Sequence, residues 1–225
     1  MGYTPHFGQI ARYLPYLCGG ALISLLLAAL AFFGGMVLGL LGAMAKTSGG
    51  PWLRRVAGAY VTFFTNTPAL VQVYFIYFVL PDWGIVLSSF SAVLLGLTLN
   101  AGAYLTEVQR AGFLSVHRNE VEAAETLGMG RWQTVWYVIV PHIVRTLYPP
   151  LTGQFILITL GTSMGAVFGV EELTGRAFSV NADTFRSVEI FTVVGALYVV
   201  VTIAASLLLA AVGRGLFRAR MGVFG

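Results

Sequence analysis

Five stretches of the chain run apolar without an Asp, Glu, Lys or Arg: Leu17 to Ala45, Val56 to Leu80, Ile85 to Thr106, Pro150 to Val170 and Ile190 to Val212. Every charged residue falls between or beyond them. A helix rises ~1.5 Å per residue and the hydrocarbon of a bilayer is ~30 Å thick, so roughly 20 apolar residues make a crossing. All five windows reach that length, and the pattern predicts an all-α membrane protein with five transmembrane helices. Ala43-Met44-Ala45 imitates a signal-peptidase site, but the apolar run before it is far longer than the ~7–15 residues of a signal-peptide core. The segment Tyr3 to Tyr16, with its aromatics, two prolines and one Arg, reads as an interfacial lead-in.

Composition agrees with lipid as the solvent. Apolar residues make up 57% of the 225 and charged residues 10%, against roughly 45–50% and 25% in soluble domains. The net charge of +4 does not indicate nucleic acid, because the cations are scattered, never more than two adjacent, with no basic run interleaved by aromatics. Their distribution sets the orientation instead. With the N-terminus outside, ten of the thirteen lie on cytoplasmic segments (Lys46, Arg54, Arg55, Arg110, Arg118, Arg131, Arg145, Arg214, Arg218 and Arg220), and Arg12, Arg176 and Arg186 lie outside. That bias predicts N-out and C-in. One long connection, Glu107 to Pro149, is then cytoplasmic, and another, Glu171 to Glu189, external. Long loops are where partners dock. No repeat, linker or low-complexity tract divides residues 1–225, which read as one domain.

Polar residues inside the windows fall in stripes. Gly96, Asn100, Tyr104 and Glu107 share one helical face, as do Thr65, Ala69 and Gln72; Thr152, Thr159, Ser163 and Ala166 make a weaker stripe with Thr162 beside it. Polar groups in hydrocarbon are costly and face a bundle interior or a water-filled path. Gln72, Asn100, Tyr104, Thr159, Thr162 and Ser163 are therefore candidate pathway residues. The alternative is that Ser and Thr bond their own i−4 carbonyls, and that Asn100 and Gln72 join helices. Gly35 with Gly39, and Gly161 with Gly165, have the spacing that lets helices approach closely.

Catalytic chemistry is not evident. The sole lysine, in Gly42-Ala43-Met44-Ala45-Lys46-Thr47, lacks the glycines of a phosphate-binding loop. His6, His117 and His142 are far apart and the lone Cys18 has no partner, which leaves no metal-ligand spacing. Glu171 and Glu172 have no nucleophile or base beside them in the sequence. The chain reads as a non-enzyme that binds no cofactor.

The cytoplasmic connection carries the most specific string. Glu120 to Leu127 are mostly good helix formers and Gly128 and Gly130 follow as stops, which predicts a short helix. A second stretch, Trp132 to Val140, is expected to end at Pro141, so that two short helices form a knuckle; alone, this would be an ordinary loop. Glu122-Ala123-Ala124, then Gly128, then Ile139-Val140-Pro141, resembles the EAA loop of ABC importer permeases. The likeness extends over roughly residues 60–200 and narrows to permeases for polar amino acids, through Thr67-Pro68-Ala69-Leu70-Val71-Gln72, Leu97 to Glu107, Thr162-Ser163 and Glu172-Leu173-Thr174. Departures occur where the family has Arg-Gly (here Thr65-Asn66), Gly-Gln (Asn119-Glu120), Pro-Gln (Pro141-His142) and Lys-Asp (Leu160-Gly161).

The resemblance implies a type I importer permease in a bacterial inner membrane, with coupling region 115–141. Glu122, Ala123, Ala124, Glu125, Leu127 and Gly128 would contact a separate ATPase dimer, which binds the ATP and Mg. The other implied partners are a second permease subunit, identical or homologous, and an extracellular or periplasmic substrate-binding protein. The rival reading is a stand-alone small channel, secondary carrier or scaffold.

Overall fold

The structure, a computed structural model, describes residues 6–221, with side chains to residue 215. Tyr3, Thr4 and Pro5 of the lead-in lie outside the described residues, as do the side chains of Arg218 and Arg220. All regular structure described is helical: α1 (Leu14–Ser48), α2 (Pro51–Thr65), α3 (Ala69–Phe78), α4 (Ser89–Leu114), α5 (Arg118–Thr126), α6 (Arg131–Thr134), α7 (Val140–Gly161), α8 (Leu173–Thr184) and α9 (Ser187–Met221).

Helix α4 is the central post. It is buried on several faces, by Ala92, Val93, Gly96, Leu97, Ala101, Leu105 and Gln109 among others. Helix α1 lies along it through a stripe of small residues that includes Ala28, Ala31, Gly35, Gly39 and Ala43. A Cβ on Gly35 would come 2.8 Å from Ala101 Cβ, and one on Gly39 would come 2.8 Å from the Leu105 backbone, so this close approach requires glycine at both. Gly161 and Gly165 do not act as such a pair: the nearest atom to a Cβ on Gly161 is Leu97 Cδ2, and on Gly165 it is Val170 Cβ. The main core joins Leu27, Ala31, Val73, Leu97, Leu105, Ile158 and Phe168. A second core at the other end of α1 packs Ile10, Leu17, Leu173, Ala177, Val180 and Ile190. Many large apolar side chains stay exposed, among them Leu22, Phe33, Val37, Val199, Ile203 and Leu207, as a surface solvated by lipid should leave them.

Four stretches are long and apolar enough to cross a membrane: Phe7–Ser48, Ser89–Leu114, Arg131–Phe168 and Ser187–Gly215. The window Val56 to Leu80 is not one helix. It breaks at Asn66 to Pro68 into α2 and α3, because Pro68 has no N–H to donate and disfavours helical dihedrals in the residue before it.

Proline acts the other way further on. The stretch Trp132 to Val140 does not end at Pro141. A π-helical turn over Val135–Ile139 passes directly into α7, where Pro141 occupies the first turn. A π turn pairs each carbonyl with the amide five residues on, so the ladder runs past a proline four residues on. The helix continues through Pro149 and Pro150 and tightens into a 3-10 segment, Thr162–Phe168. The connection expected from Glu107 to Pro149 thus shrinks to the region around α5. The expected loop from Glu171 to Glu189 is mostly the packed helix α8, with Leu173, Ala177 and Val180 buried.

Candidate functional site

The break between α2 and α3 leaves carbonyls at the end of α2 without helical partners, and three of the polar residues predicted to line a pathway converge on them. Gln72, 6% exposed, donates through Nε2 to Phe64 O (3.0 Å), Thr67 O (3.0 Å) and Thr67 Oγ1 (2.7 Å). Asn100 Nδ2, arriving from α4, donates to Phe64 O at 3.0 Å and to Gln72 Oε1 at 3.2 Å. The Tyr104 hydroxyl reaches Thr65 O at 3.4 Å, and the Tyr60 hydroxyl donates to Leu99 O at 2.6 Å. Gln72, Asn100 and Tyr104 therefore form one cluster that holds the broken helix against α4.

Beside this cluster lies a cavity of about 320 Å³ between α3, α4 and α7, its wall including Ala69, Asn100, Tyr104, Gln154, Gly161 and Met164. Gln72 lies behind it rather than on its wall. Thr159 and Thr162 are fully buried and Ser163 is half-buried. Each hydroxyl bonds a carbonyl of its own helix: Thr159 to Phe155 O (2.9 Å), Thr162 to Thr159 O (2.7 Å) and Ser163 to Leu160 O (2.8 Å). None of the three lines the cavity. Gln154 does, and the sequence reading passed over it. The signal was present: Gln154, Ile158 and Gly161 are spaced i, i+4, i+7 on one face, with a lone amide in an apolar window.

Ion pairs and buried acids mark the two ends of the bundle. At one, Glu107 pairs with Lys46 at the end of α1 and with Arg110 Nη2 at 2.8 Å. At the other, Glu172 is 0% exposed. Its carboxylate caps α8 by accepting from Thr174 N (3.0 Å) and Gly175 N (2.9 Å), and it also accepts from Ser24 Oγ on α1 (3.0 Å) and Tyr198 OH on α9 (2.9 Å).

The knuckle is α5 and its exit. The backbone amides of Gly128 and Met129 bond to Glu125 O and Ala124 O, and Gly128 takes φ +78°, a left-handed stop that glycine adopts without strain. Ala124 is packed inward at 3% exposed while Leu127 is 81% exposed. Glu122, Ala123, Glu125 and Gly128 are likewise exposed, and Glu122 pairs with Arg118 at 2.7 Å. The helix is tied to the α7 shaft by Glu120 Oε2 and His142 Nδ1, 3.2 Å apart. The exposed aromatics Trp132, Trp136 and Tyr137 flank it. Among the described residues no three His, Cys, Asp or Glu side chains converge as metal ligands.

Known proteins share this fold. Residues 35–218 match the family model described as binding-protein-dependent transport system inner membrane component. The chain is 38% identical over 198 residues to the glutamine transport system permease protein GlnP of Escherichia coli K12, covering 87% of this chain and 90% of that protein. It is 36% identical over 168 residues to the L-cystine transport system permease protein TcyB of Bacillus subtilis, covering 75% and 72%. Among solved structures, that of an amino acid ABC transporter with histidines superposes with a TM-score of 0.86 at 32% identity, covering 94% of this chain and 99% of that one. The inward-facing MetNI methionine ABC transporter shares the fold, with a TM-score of 0.72 at 20% identity over 91% of this chain and 97% of that one.

Proposed function

Because this chain belongs to the family of binding-protein-dependent transport system inner membrane components, we propose that it is the permease subunit of an ATP-driven importer of polar amino acids in a bacterial inner membrane. It supplies half of the translocation pathway, a second permease subunit completes it, and a separate ATPase dimer hydrolyses ATP with its Mg. A substrate-binding protein delivers the amino acid from outside. The broken pair α2 and α3 makes a fifth crossing, with the N-terminus outside and the C-terminus in the cytoplasm. The observation that carries the coupling role is the projecting α5, whose exposed face presents Glu122, Ala123, Glu125 and Leu127 and whose exit depends on left-handed Gly128.

Coupling needs more than contact. ATP and the loaded binding protein must each bind the inward- and outward-facing states with different affinity, since a ligand shifts an equilibrium only by its differential binding. Displacement of α5 passes to α7 through the Glu120–His142 tie, and α7 carries Gln154 and Gly161 on the cavity wall.

Replacing Gly128 tests this. Proline cannot adopt φ +78°, and a β-branched residue there costs about 1–2 kcal/mol. Gly128→Pro and Gly128→Val should abolish ATP-driven uptake while the protein still inserts in the membrane. Gly128→Asn, a residue that tolerates the left-handed region, should keep most of the activity. Normal uptake by correctly inserted Gly128→Pro would end the proposal.

A further inference from the structure

The cavity between α3, α4 and α7 holds two amide side chains in different states. Asn100 commits its Nδ2 to Phe64 O and Gln72 Oε1. Gln72 in turn commits its Nε2 to Phe64 and Thr67, which fixes its oxygen toward Asn100. The chain of bonds leaves Asn100 Oδ1 as an acceptor with no partner among the described residues, on a residue that lines the cavity. The Gln154 side-chain amide, on the same wall, makes no hydrogen bond among the described residues. No lining residue is charged. An amide left unpaired in an apolar, membrane-embedded wall is unfavourable unless a polar group comes to meet it. The volume of about 320 Å³ lies at the small end of ligand sites.

We propose that this cavity binds a single amino acid whose side chain is uncharged and carries an amide or hydroxyl, with Asn100 Oδ1 accepting from a ligand N–H and Gln154 pairing with the side-chain group. The inference rests on the importer reading above and adds the substrate class. Ammonium and carboxylate are common to all amino acids and do not discriminate among them. A side-chain charge does, because no lining residue can neutralise it, and burying an unpaired charge costs far more than burying a neutral group that finds its hydrogen bonds. Gln72 is the positioning residue: it touches no ligand, and it sets which atom of Asn100 is free.

Gln154 is the substitution of choice, since its amide holds nothing in place. The assembled permease–ATPase complex in nanodiscs, without binding protein, is titrated with radiolabelled L-glutamine, with unlabelled L-glutamate and L-arginine as competitors. Saturable glutamine binding is expected, with each charged competitor at least ten-fold weaker than unlabelled glutamine. Gln154→Leu should weaken glutamine binding ten-fold or more at unchanged thermal stability, and Gln154→Glu should turn the preference toward arginine. Absence of saturable glutamine binding, equal competition by arginine or glutamate, or unchanged binding in Gln154→Leu overturns the site. ATP-driven amino-acid uptake by the same complex with its binding protein separates the two readings. If uptake persists while Gln154→Leu binds glutamine normally, only the site fails; if no amino acid is taken up, the importer reading fails with it.

Discussion

Glu172 shows how a single residue can carry a junction. Its carboxylate is fully buried, yet each of its bonds goes to a hydrogen-bond donor on α1, α8 or α9, and a carboxylate that accepts several such bonds can remain inside a structure. The reading by uncharged windows treats every carboxylate as a group that meets water, so it assigned Glu172 to an external loop. Its partners Ser24 and Tyr198 lie 148 and 26 residues away, and no local pattern announces them. Removing the side chain takes the acceptor from the Ser24 hydroxyl and from the first amides of α8, at about 1–3 kcal/mol for each, while Tyr198 OH keeps Thr174 Oγ1 at 2.9 Å. Glu172→Ala should therefore lower the thermal unfolding temperature of the detergent-purified protein by several degrees, whereas Glu171→Ala, at the exposed neighbouring position, should leave it unchanged. Equal melting of the two variants would deny Glu172 this role.

Among elements, α5 and the two proline-containing helices separate what local sequence controls from what it does not. The end of α5 was legible because glycine at a left-handed stop is a property of the backbone itself. Pro68 and Pro141 are the same residue in similarly apolar surroundings, and one breaks a helix while the other is absorbed. Gln72, Asn100 and Tyr104 accept the consequences of the break by donating to Phe64, Thr65 and Thr67; at Pro141 a π turn spares the ladder. The choice depends on neighbours that a sequence window does not contain. The tie between Glu120 and His142 joins two positions that each depart from the resembled family pattern. Half-exposed pairs of this kind are worth about 0.2–1 kcal/mol. Glu120→Gln or His142→Ala should lower substrate-stimulated ATP hydrolysis of the assembled transporter by about two- to five-fold. The exchange Glu120→His with His142→Glu should restore it. Failure of the exchange to restore activity would show that the pair does not transmit motion.

For the whole molecule the proposed topology crosses the bilayer five times, with the N-terminus outside. Single cysteines in a Cys18→Ser background can be read with a membrane-impermeant maleimide. At Val86 and Ala182 they should be labelled in intact spheroplasts, and at Trp52 and Ala123 only after the membrane is opened; all four positions are exposed. Equal accessibility of Trp52→Cys and Val86→Cys on one side would remove α2 and α3 as a crossing and reduce the spans to the four long stretches.

Hydropathy and the string from Glu122 to Pro141 determined the class of molecule: a helical membrane protein of the importer-permease kind. These signals are local or additive along the chain, since transfer to lipid is summed residue by residue and a left-handed glycine is set by its own dihedrals. Only the tertiary structure decided that Val56 to Leu80 divides in two, that Glu172 is buried, that Thr159 and Thr162 turn away from the cavity while Gln154 lines it, and that Asn100 presents its oxygen. Each of those is settled by hydrogen-bond partners and packing brought from distant parts of the chain. In a medium without water a polar group either takes the partner the fold provides or is left facing a cavity, and neither outcome is written beside it in the sequence.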